Sequence, residues 1–394
     1  MNTMQRGMIT LLCSAVTGEM LALPEDFQLA DILTEVNRHS IATLVYEGAV
    51  NCGIDKKTPE MQKLFQTYVK MLVTSEGQLR EIQRIFDAFD EAGIDYMPLK
   101  GCKLKALYPK PELRAMGDAD ILIRMEQYDK IRLIMQELGY TEKGENCHEL
   151  PWQSDELFVE LHKCLFVREE KDLFGYFGTG WDLARQTETC RYKLPAEDEY
   201  LHLFAHMTKH YRSSGIGSRH ILDLYVYRRA NPDLDERYIE ETLQKQGLLE
   251  FYRNIRKLIA VWFEDAQPDE KTEFIGEYIM SSGNWGTKEM EFCTREVKRM
   301  VLQGNRQSKF RRVLWALFPP LDRMQNLYRI LFKYPKLYPL FWIPRWIQGV
   351  FCRPQEILRK FRTLDRVTDE KVLARKAALE YVGLDFSWQK EAGG

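Results

Sequence analysis

Apolar residues recur at three- and four-residue spacing through the first 92 positions, as in "QLADILTEVNRHSIATLVYEGAV" and "MQKLFQTYVKMLVTSEGQLREIQRIFDAFDEAG". That period predicts helices, and Gly93 follows as a C-terminal stop. The period then changes. "GIDYMPLKG" reads as a strand and a turn, "CKLKALYP" as a short helix closed by Pro109, and "DADILIRM" as a second strand. A helix is expected over "EQYDKIRLIMQELGY" and a third strand over "ELFVELHKCLFV". Strands alternating with helices predict an α/β-type core over 93–190 within an α+β chain. Helical spacing returns in "AEDEYLHLFAHMTKHY" and "SRHILDLYVYRRA" and runs on through "KEMEFCTREVKRMVLQ". Four regions result: helices over 1–92, the core over 93–190, a helical domain over 191–305, and a compositionally distinct end over 306–394.

The second predicted strand carries two acids. In "MGDADILI", Asp118 and Asp120 alternate with Ala119, Ile121 and Ile123, so the acids share one strand face and the apolar residues the other. Like charges side by side on an otherwise buried strand call for a cation between them. Parity in "LFVELH" picks a third acid. Leu157, Val159 and Leu161 share an apolar face, leaving Glu160 on the other with Phe158 and His162. Carboxylates facing one way from neighbouring strands suit Mg²⁺ or Mn²⁺, which prefer hard oxygen ligands, and two such ions can serve in-line phosphoryl displacement. The alternative is an exposed acidic edge with Glu160 paired to a surface lysine.

Upstream, "LKGCKLKALYP" ends a strand in Gly101 and opens a helix, an arrangement that offers backbone N–H groups to an anion. Lys100 and Lys103 add positive charge. Together, "PLKGCKLKALYPKPELRAMGDADILI", "FVELH" and "HMTKHY…DLYV" resemble a bacterial family of uncharacterised nucleotidyltransferase-fold proteins, within the superfamily that has a DNA polymerase β-like palm. The specific motifs lie between Leu99 and Asp223. The resemblance implies a small mixed sheet flanked by N- and C-terminal helical domains. It also implies an NTP-using transferase with Mg²⁺ (or Mn²⁺) on Asp118 and Asp120. Glu160 would be the third carboxylate, either a ligand of a second metal or the base for the acceptor hydroxyl. Where the superfamily has Gly-Ser or Gly-Gly at the phosphate turn, this chain has Gly101-Cys102, so Lys100 or Arg114 is expected to compensate. Arg114 fits a loop salt bridge as well as it fits a triphosphate contact.

His202, His206 and His210 recur every four residues on one helical stripe. "HMTKH" lacks the glutamate base of zinc-binding helices, so zinc is not expected. The helix is expected to lend His206, Lys209 or His210 to the nucleotide or acceptor; the competing reading has His202 packed and the others solvated.

Composition narrows the field only modestly. With 45% hydrophobic residues, 29% charged residues and a net charge of −2, the chain of 394 residues is ordinary for a soluble protein. Its eight cysteines form no CxxC pair, which fits a reduced, cytoplasmic compartment. "MNTMQRGMITLLCSAVTG" is too diluted by Thr10, Ser14 and Thr17 for a signal peptide and reads as an amphipathic helix. No stretch reaches the roughly 18 apolar residues of a membrane span. The end of the chain differs. Residues 306–363 hold 13 Lys or Arg against two acids, a net +11 set against −13 for the remainder, with 12 aromatics interleaved. Packing of those aromatics on the acidic helical body is the first expectation, peripheral contact with an anionic membrane the second and nucleic acid the third. Two rivals to an active transferase follow: a catalytically degenerate nucleotide-binding or interaction protein, which Cys102 favours, and a peripheral membrane-associated interaction protein.

Overall fold

The computed structural model describes residues 1–304 except Cys147, Glu169 and Trp285, and beyond them residues 314, 317–319, 321–328, 330–347, 355, 359, 362–363 and 366–386. The remainder of the basic stretch 306–363 lies outside the described residues. The chain divides into two compact units, Met1–Tyr211 with Gly215–Trp285, and Arg212–Ser214 with Gly286–Gly394.

In the first unit, α1 (Thr3–Thr17) opens with a capping box between Asn2 and Gln5 and ends at Gly18, which takes the left-handed conformation (φ 77°). It buries Met8, Leu11, Leu12 and Ala15 and packs on α3 (Ala42–Asn51), as the amphipathic reading anticipated. Between them in sequence runs α2 (Leu29–His39). The long α4 (Pro59–Glu91) is capped by Thr58, whose hydroxyl accepts from Met61 N–H, with proline at the first helical position.

The sheet follows. Five strands lie in the order β1 (Tyr96–Pro98), β2 (Ala119–Ile123), β5 (Phe158–His162), β4 (Glu149–Gln153) and β3 (Thr141–Glu142). Only the β2–β5 pair is parallel; the rest are antiparallel, so the sheet is mixed and the fold is α+β. One face is fully apolar. Ala119, Ile121, Ile123, Leu150, Trp152, Val159 and Leu161 pack with Ile82, Ile85, Phe86 and Phe89 of α4 and with Ile131 and Met135 of α6 (Tyr128–Glu137). Burying each large side chain in this layer contributes about 1.5–3 kcal/mol. The opposite face carries the alternate positions Asp120, Glu149, Glu160 and His162, which frees it for chemistry.

Three strands were expected, and this sheet has five. The hairpin β3–β4 was missed because "ELPWQ" holds a proline. Pro151 is tolerated because its backbone faces the two-residue edge strand, where its carbonyl accepts from Lys143 N–H (2.8 Å), so the missing donor falls on an edge. After α7 (Lys171–Phe177) and a two-stranded ribbon, β6 (Arg185–Gln186) with β7 (Tyr192–Lys193), the chain returns to helices α8 (Ala196–Ser213) and α9 (Ser218–Ala230). The unit closes with α10 (Glu236–Lys245), α11 (Leu249–Phe263) and α12 (Glu270–Ser282). In the second unit, α13 (Lys288–Gln303) packs on the helix Asp369–Tyr381, where buried Arg375 donates from Nε to Thr294 Oγ1 (3.0 Å). No helix among the described residues is long and apolar enough to cross a membrane.

Candidate functional site

The parallel pairing of β2 with β5 sets Asp120 directly beside Glu160 and Ala119 beside Val159. Strand parity then turns both acids to the same face. Asp118, one residue before β2, is half-buried at the same end. Asp120, Glu160 and His162 bring their ligand atoms within 4.8 Å of one another, and His148, Glu149 and His162 do the same one strand over. These carboxylates and imidazoles could hold a metal ion.

Asp120 is buried and matched on one oxygen by two donors. Lys100 Nζ donates to Oδ1 at 2.9 Å and His162 Nε2 at 2.7 Å. Burial would raise the Asp120 pKa, but the Lys100 charge and the His162 hydrogen bond outweigh it and hold the carboxyl well below the usual range. His162 Nδ1 lies 3.2 Å from His148 Nε2, within hydrogen-bond reach. His148 Nδ1 in turn lies 3.6 Å from Cys164 Sγ. A hydrogen-bond chain therefore runs from Cys164 through two imidazoles to Asp120. Burial, then the His162 ring, lowers His148 to about 3, so it stays neutral in that chain.

Glu160 lacks such support. Burial, then Glu149, Asp118 and Asp120, push its carboxyl up to about 8. Burial and Asp120 likewise raise Asp118. Lys100 is the lysine that pairs directly with these carboxylates, and hard oxygen donors in that number fit Mg²⁺ or Mn²⁺.

A cavity of about 300 Å³ opens over this face. Its walls include Lys100, Gly101, Arg114, Asp118, Asp120, Glu160, His206, Lys209 and His210, but of the residues singled out in the sequence Cys102, Lys103 and His202 are not among its lining. The turn before α5 (Gly101–Leu104) is tight. Lys100 sits at φ 40°, ψ −110°, and a Cβ on Gly101 would fall 2.9 Å from Met116 Sδ and 3.1 Å from Arg114 Nη1. The helix after Gly101 is a single turn, and the N–H groups of Cys102 and Lys103 donate to Leu99 and Lys100 carbonyls. Little is left of the backbone cradle that the strand–glycine–helix pattern suggested. Lys103 is turned away to pair with Glu199.

Arg114 forms the loop salt bridge. Its Nε and Nη2 donate to Asp223 at 2.9 and 3.0 Å, and Tyr108 Oη donates to the same carboxylate at 2.7 Å. Asp223 is thus a buried anchor in this network. His202 is packed against Phe166 and Phe177, whereas His206 and His210 place their Nε2 atoms 3.2 Å apart on the cavity wall. Lys209 Nζ pairs with Glu170 (3.2 Å). The sequence reading passed over His148, Glu149, Arg219 and His220, all of which line the cavity. Arg219 donates from Nη1 to Ala115 O (2.9 Å), and its buried Nε has no hydrogen-bond partner among the described residues. Only its place at the start of a helix after "SSGIG" could have drawn attention to it.

A mixed sheet under helices, with adjacent strands presenting acids to a cation-lined cavity, is consistent with a nucleotidyltransferase fold. Residues 25–264 match the family described as uncharacterised nucleotidyltransferase, well over half of the chain, and the chain belongs to that family. No curated protein and no solved structure matches the chain. Family membership points to transferase chemistry on an NTP.

Proposed function

We propose that this protein transfers a nucleotidyl group from an NTP to an acceptor, in a polymerase β-like palm whose metal ligands are Asp118, Asp120 and Glu160. The observation that carries the reading is the Asp120–Glu160 register across the parallel strand pair. Bound Mg²⁺ would polarise the reacting phosphate and offset the charge that develops in displacement. The chain's own groups do the rest. Lys100, released from Asp120 once a cation neutralises that carboxylate, turns its ammonium to the triphosphate. With the N–H groups of Cys102 and Lys103 already engaged, phosphate recognition rests chiefly on side chains, namely Lys100, Lys209 and the unpartnered Nε of Arg219. Arg114, held by Asp223, buttresses Gly101 and keeps the turn against β2. Glu160, poised near neutrality, accepts the acceptor's proton or completes a second metal site. His206 and His210 line the wall where the base or acceptor lies.

One observation favours a second reading. The Lys100 ammonium already occupies the cation position beside Asp120, and Cys102 follows the turn glycine, so a nucleotide-binding protein without transfer chemistry is the rival. Incubation with each NTP labelled at the α-phosphate, Mg²⁺ and a cell extract separates the two. Transfer of label to an extract component, lost in the Asp118→Asn/Asp120→Asn double variant, is expected. Mg²⁺ should also raise the parent's melting temperature and leave the variant's unchanged, since a ligand at 100 times its Kd stabilises by about 2.7 kcal/mol. Nucleotide-dependent stabilisation with no label transferred selects the rival. An unresponsive parent removes both readings.

A further inference from the structure

Residues 330–347, "ILFKYPKLYPLFWIPRWI", are apolar on more than one side. A short helix (Ile330–Lys333), a 3₁₀ segment (Pro335–Phe341) and a further helical turn (Trp342–Ile347) follow one another. One side is partnered. Trp342 Nε1 donates to Pro319 O (3.2 Å) and Trp346 Nε1 to Leu317 O (2.7 Å), and both rings meet Phe318 edge-on at 5.0 Å. Tyr328 meets Phe341 at 4.9 Å with the rings tilted by 51°. Among the described residues the other side is uncovered. Leu337, Leu340, Ile343 and Ile347, spaced three, three and four residues apart, are exposed, with Leu340 at 62% and Ile347 at 54%. Leu327, Ile330 and Tyr334 extend the same exposure. A soluble protein rarely leaves so many large apolar side chains together in water unless something covers them.

Charge tells what covers them. Between Asp322 and Glu356 the sequence contains no acid and six Lys or Arg (323, 329, 333, 336, 345 and 353). Lys333 and Lys336 are exposed beside the apolar row. A protein partner with an apolar groove would not by itself require this one-signed charge. Single-stranded nucleic acid would stack on aromatic rings, yet Trp342, Trp346 and Phe318 are engaged with one another. Apart from Tyr334, the large apolar side chains exposed here are instead aliphatic, which suits acyl chains. Prolines 335, 339 and 344 keep the helical pieces short, so the segment can lie on a bilayer and not cross it. Trp and Tyr at the margin of an aliphatic row, with lysines beside them, match the chemistry of the headgroup boundary.

We propose that residues 327–347 dock this protein on an anionic lipid surface, with Leu337, Leu340, Ile343 and Ile347 entering the acyl boundary and Lys333 and Lys336 meeting the headgroups. The surface is independent of the nucleotide site, so each can fail alone.

The test is flotation of the full chain with vesicles of phosphatidylglycerol and phosphatidylcholine in equal parts, against phosphatidylcholine alone. Binding to the anionic vesicles is expected, weaker by about tenfold on the neutral ones because each lysine near the surface adds attraction. Lys333→Glu/Lys336→Glu should abolish the preference, and Leu340→Glu/Ile343→Glu should abolish binding while leaving the Mg²⁺-induced rise in melting temperature intact. A second measurement needs no variant: lipids brominated on the acyl chain should quench part of the protein's tryptophan fluorescence. Failure to float, equal binding to both vesicle types, or absence of quenching overturns the proposal. So does a parent that is dimeric and becomes monomeric in Leu340→Glu/Ile343→Glu, or one that binds single-stranded RNA through the same side chains and releases vesicles.

Discussion

Lys100 occupies a backbone conformation (φ 40°, ψ −110°) that L-residues other than glycine rarely adopt. Such a geometry persists only where the surroundings impose it, and here it aims an ammonium at Asp120. If that ammonium stands in for a metal, removing it should have opposite effects on two ligands. Lys100→Met keeps the aliphatic stem. Mg²⁺ affinity measured by titration calorimetry without nucleotide is expected to rise about tenfold, or about 1.4 kcal/mol, while NTP affinity in Mg²⁺ falls. Unchanged Mg²⁺ affinity would place the metal away from Asp120. The neighbouring pair is different in kind. Arg114 and Asp223 are both buried, so Arg114→Ala strands a carboxylate whose remaining donor is Tyr108. Urea denaturation should show a loss of about 3–5 kcal/mol. At this scale the sequence was informative where parity operates, since alternation alone put Asp120 and Glu160 on one face. It was silent on His148 and Glu149, which reach the site only through cross-strand pairing, and on Asp223 as the partner of Arg114, 109 residues away.

Among elements, β2 and β5 had clear alternation and were placed, although the expected third strand ran on to Val167 whereas β5 ends at His162. The strand β4 lacked it, because a proline and two polar ends interrupt "ELPWQ" and only pairing with β5 makes it a strand. Helix packing was legible as amphipathicity but not as proximity. Nothing in "YEGAV" announces that Gly48 lies against α1, yet a Cβ there would fall 2.0 Å from Leu11 O, a backbone atom that cannot move without its helix. Gly48→Ala should therefore push α1 and α3 apart. The expected cost is about 3 kcal/mol, at the upper part of the range for overpacking. The Mg²⁺ response of the surviving folded fraction should be retained. A change below about 0.5 kcal/mol, the size of an ordinary surface substitution, would mean the two helices are not in contact as described.

Over the whole molecule, the histidines set how stability responds to acid. Burial, the largest cause in each case, lowers the pKa of His39, His148, His202, His206, His210 and His220, to about 3 for His148, His202 and His220 and about 4 for His210. These rings titrate at 6.5 when unfolded and hold their protons less readily in the folded chain. Their contribution is whole above pH 6.5 and is lost as the pH falls below it, because the unfolded chain then binds protons that the fold refuses. Glu160 acts the other way. Its carboxyl lies at about 8 folded against 4.5 unfolded, so the fold loses stability as the pH rises between those values. Asp118, raised by burial and Asp120, acts in the same sense as Glu160, so six groups oppose two. Each fully titrating group changes stability by about 1.4 kcal/mol per pH unit, so the histidines dominate over the window from 6.5 down to 4.5. Asp120 and Asp223, whose pKa values are depressed, add their losses only below the unfolded value of 3.8. In EDTA, urea midpoints should therefore fall steeply as the pH is lowered from 6.5 to 4.5. Glu160→Gln removes one of the opposing groups and should steepen that fall. Between pH 6.5 and 8 the unfolded rings shed their last protons while Glu160 ionises in the fold, so the two act in opposite senses and the metal-free parent should gain less stability with rising pH than the variant. Saturating Mg²⁺ should bring the parent's slope up to the variant's, since a cation beside Glu160 stabilises its charged form. Parent and variant slopes that coincide from 6.5 to 8 in EDTA would show that Glu160 ionises without strain, and the case for a metal at that carboxylate would go with it.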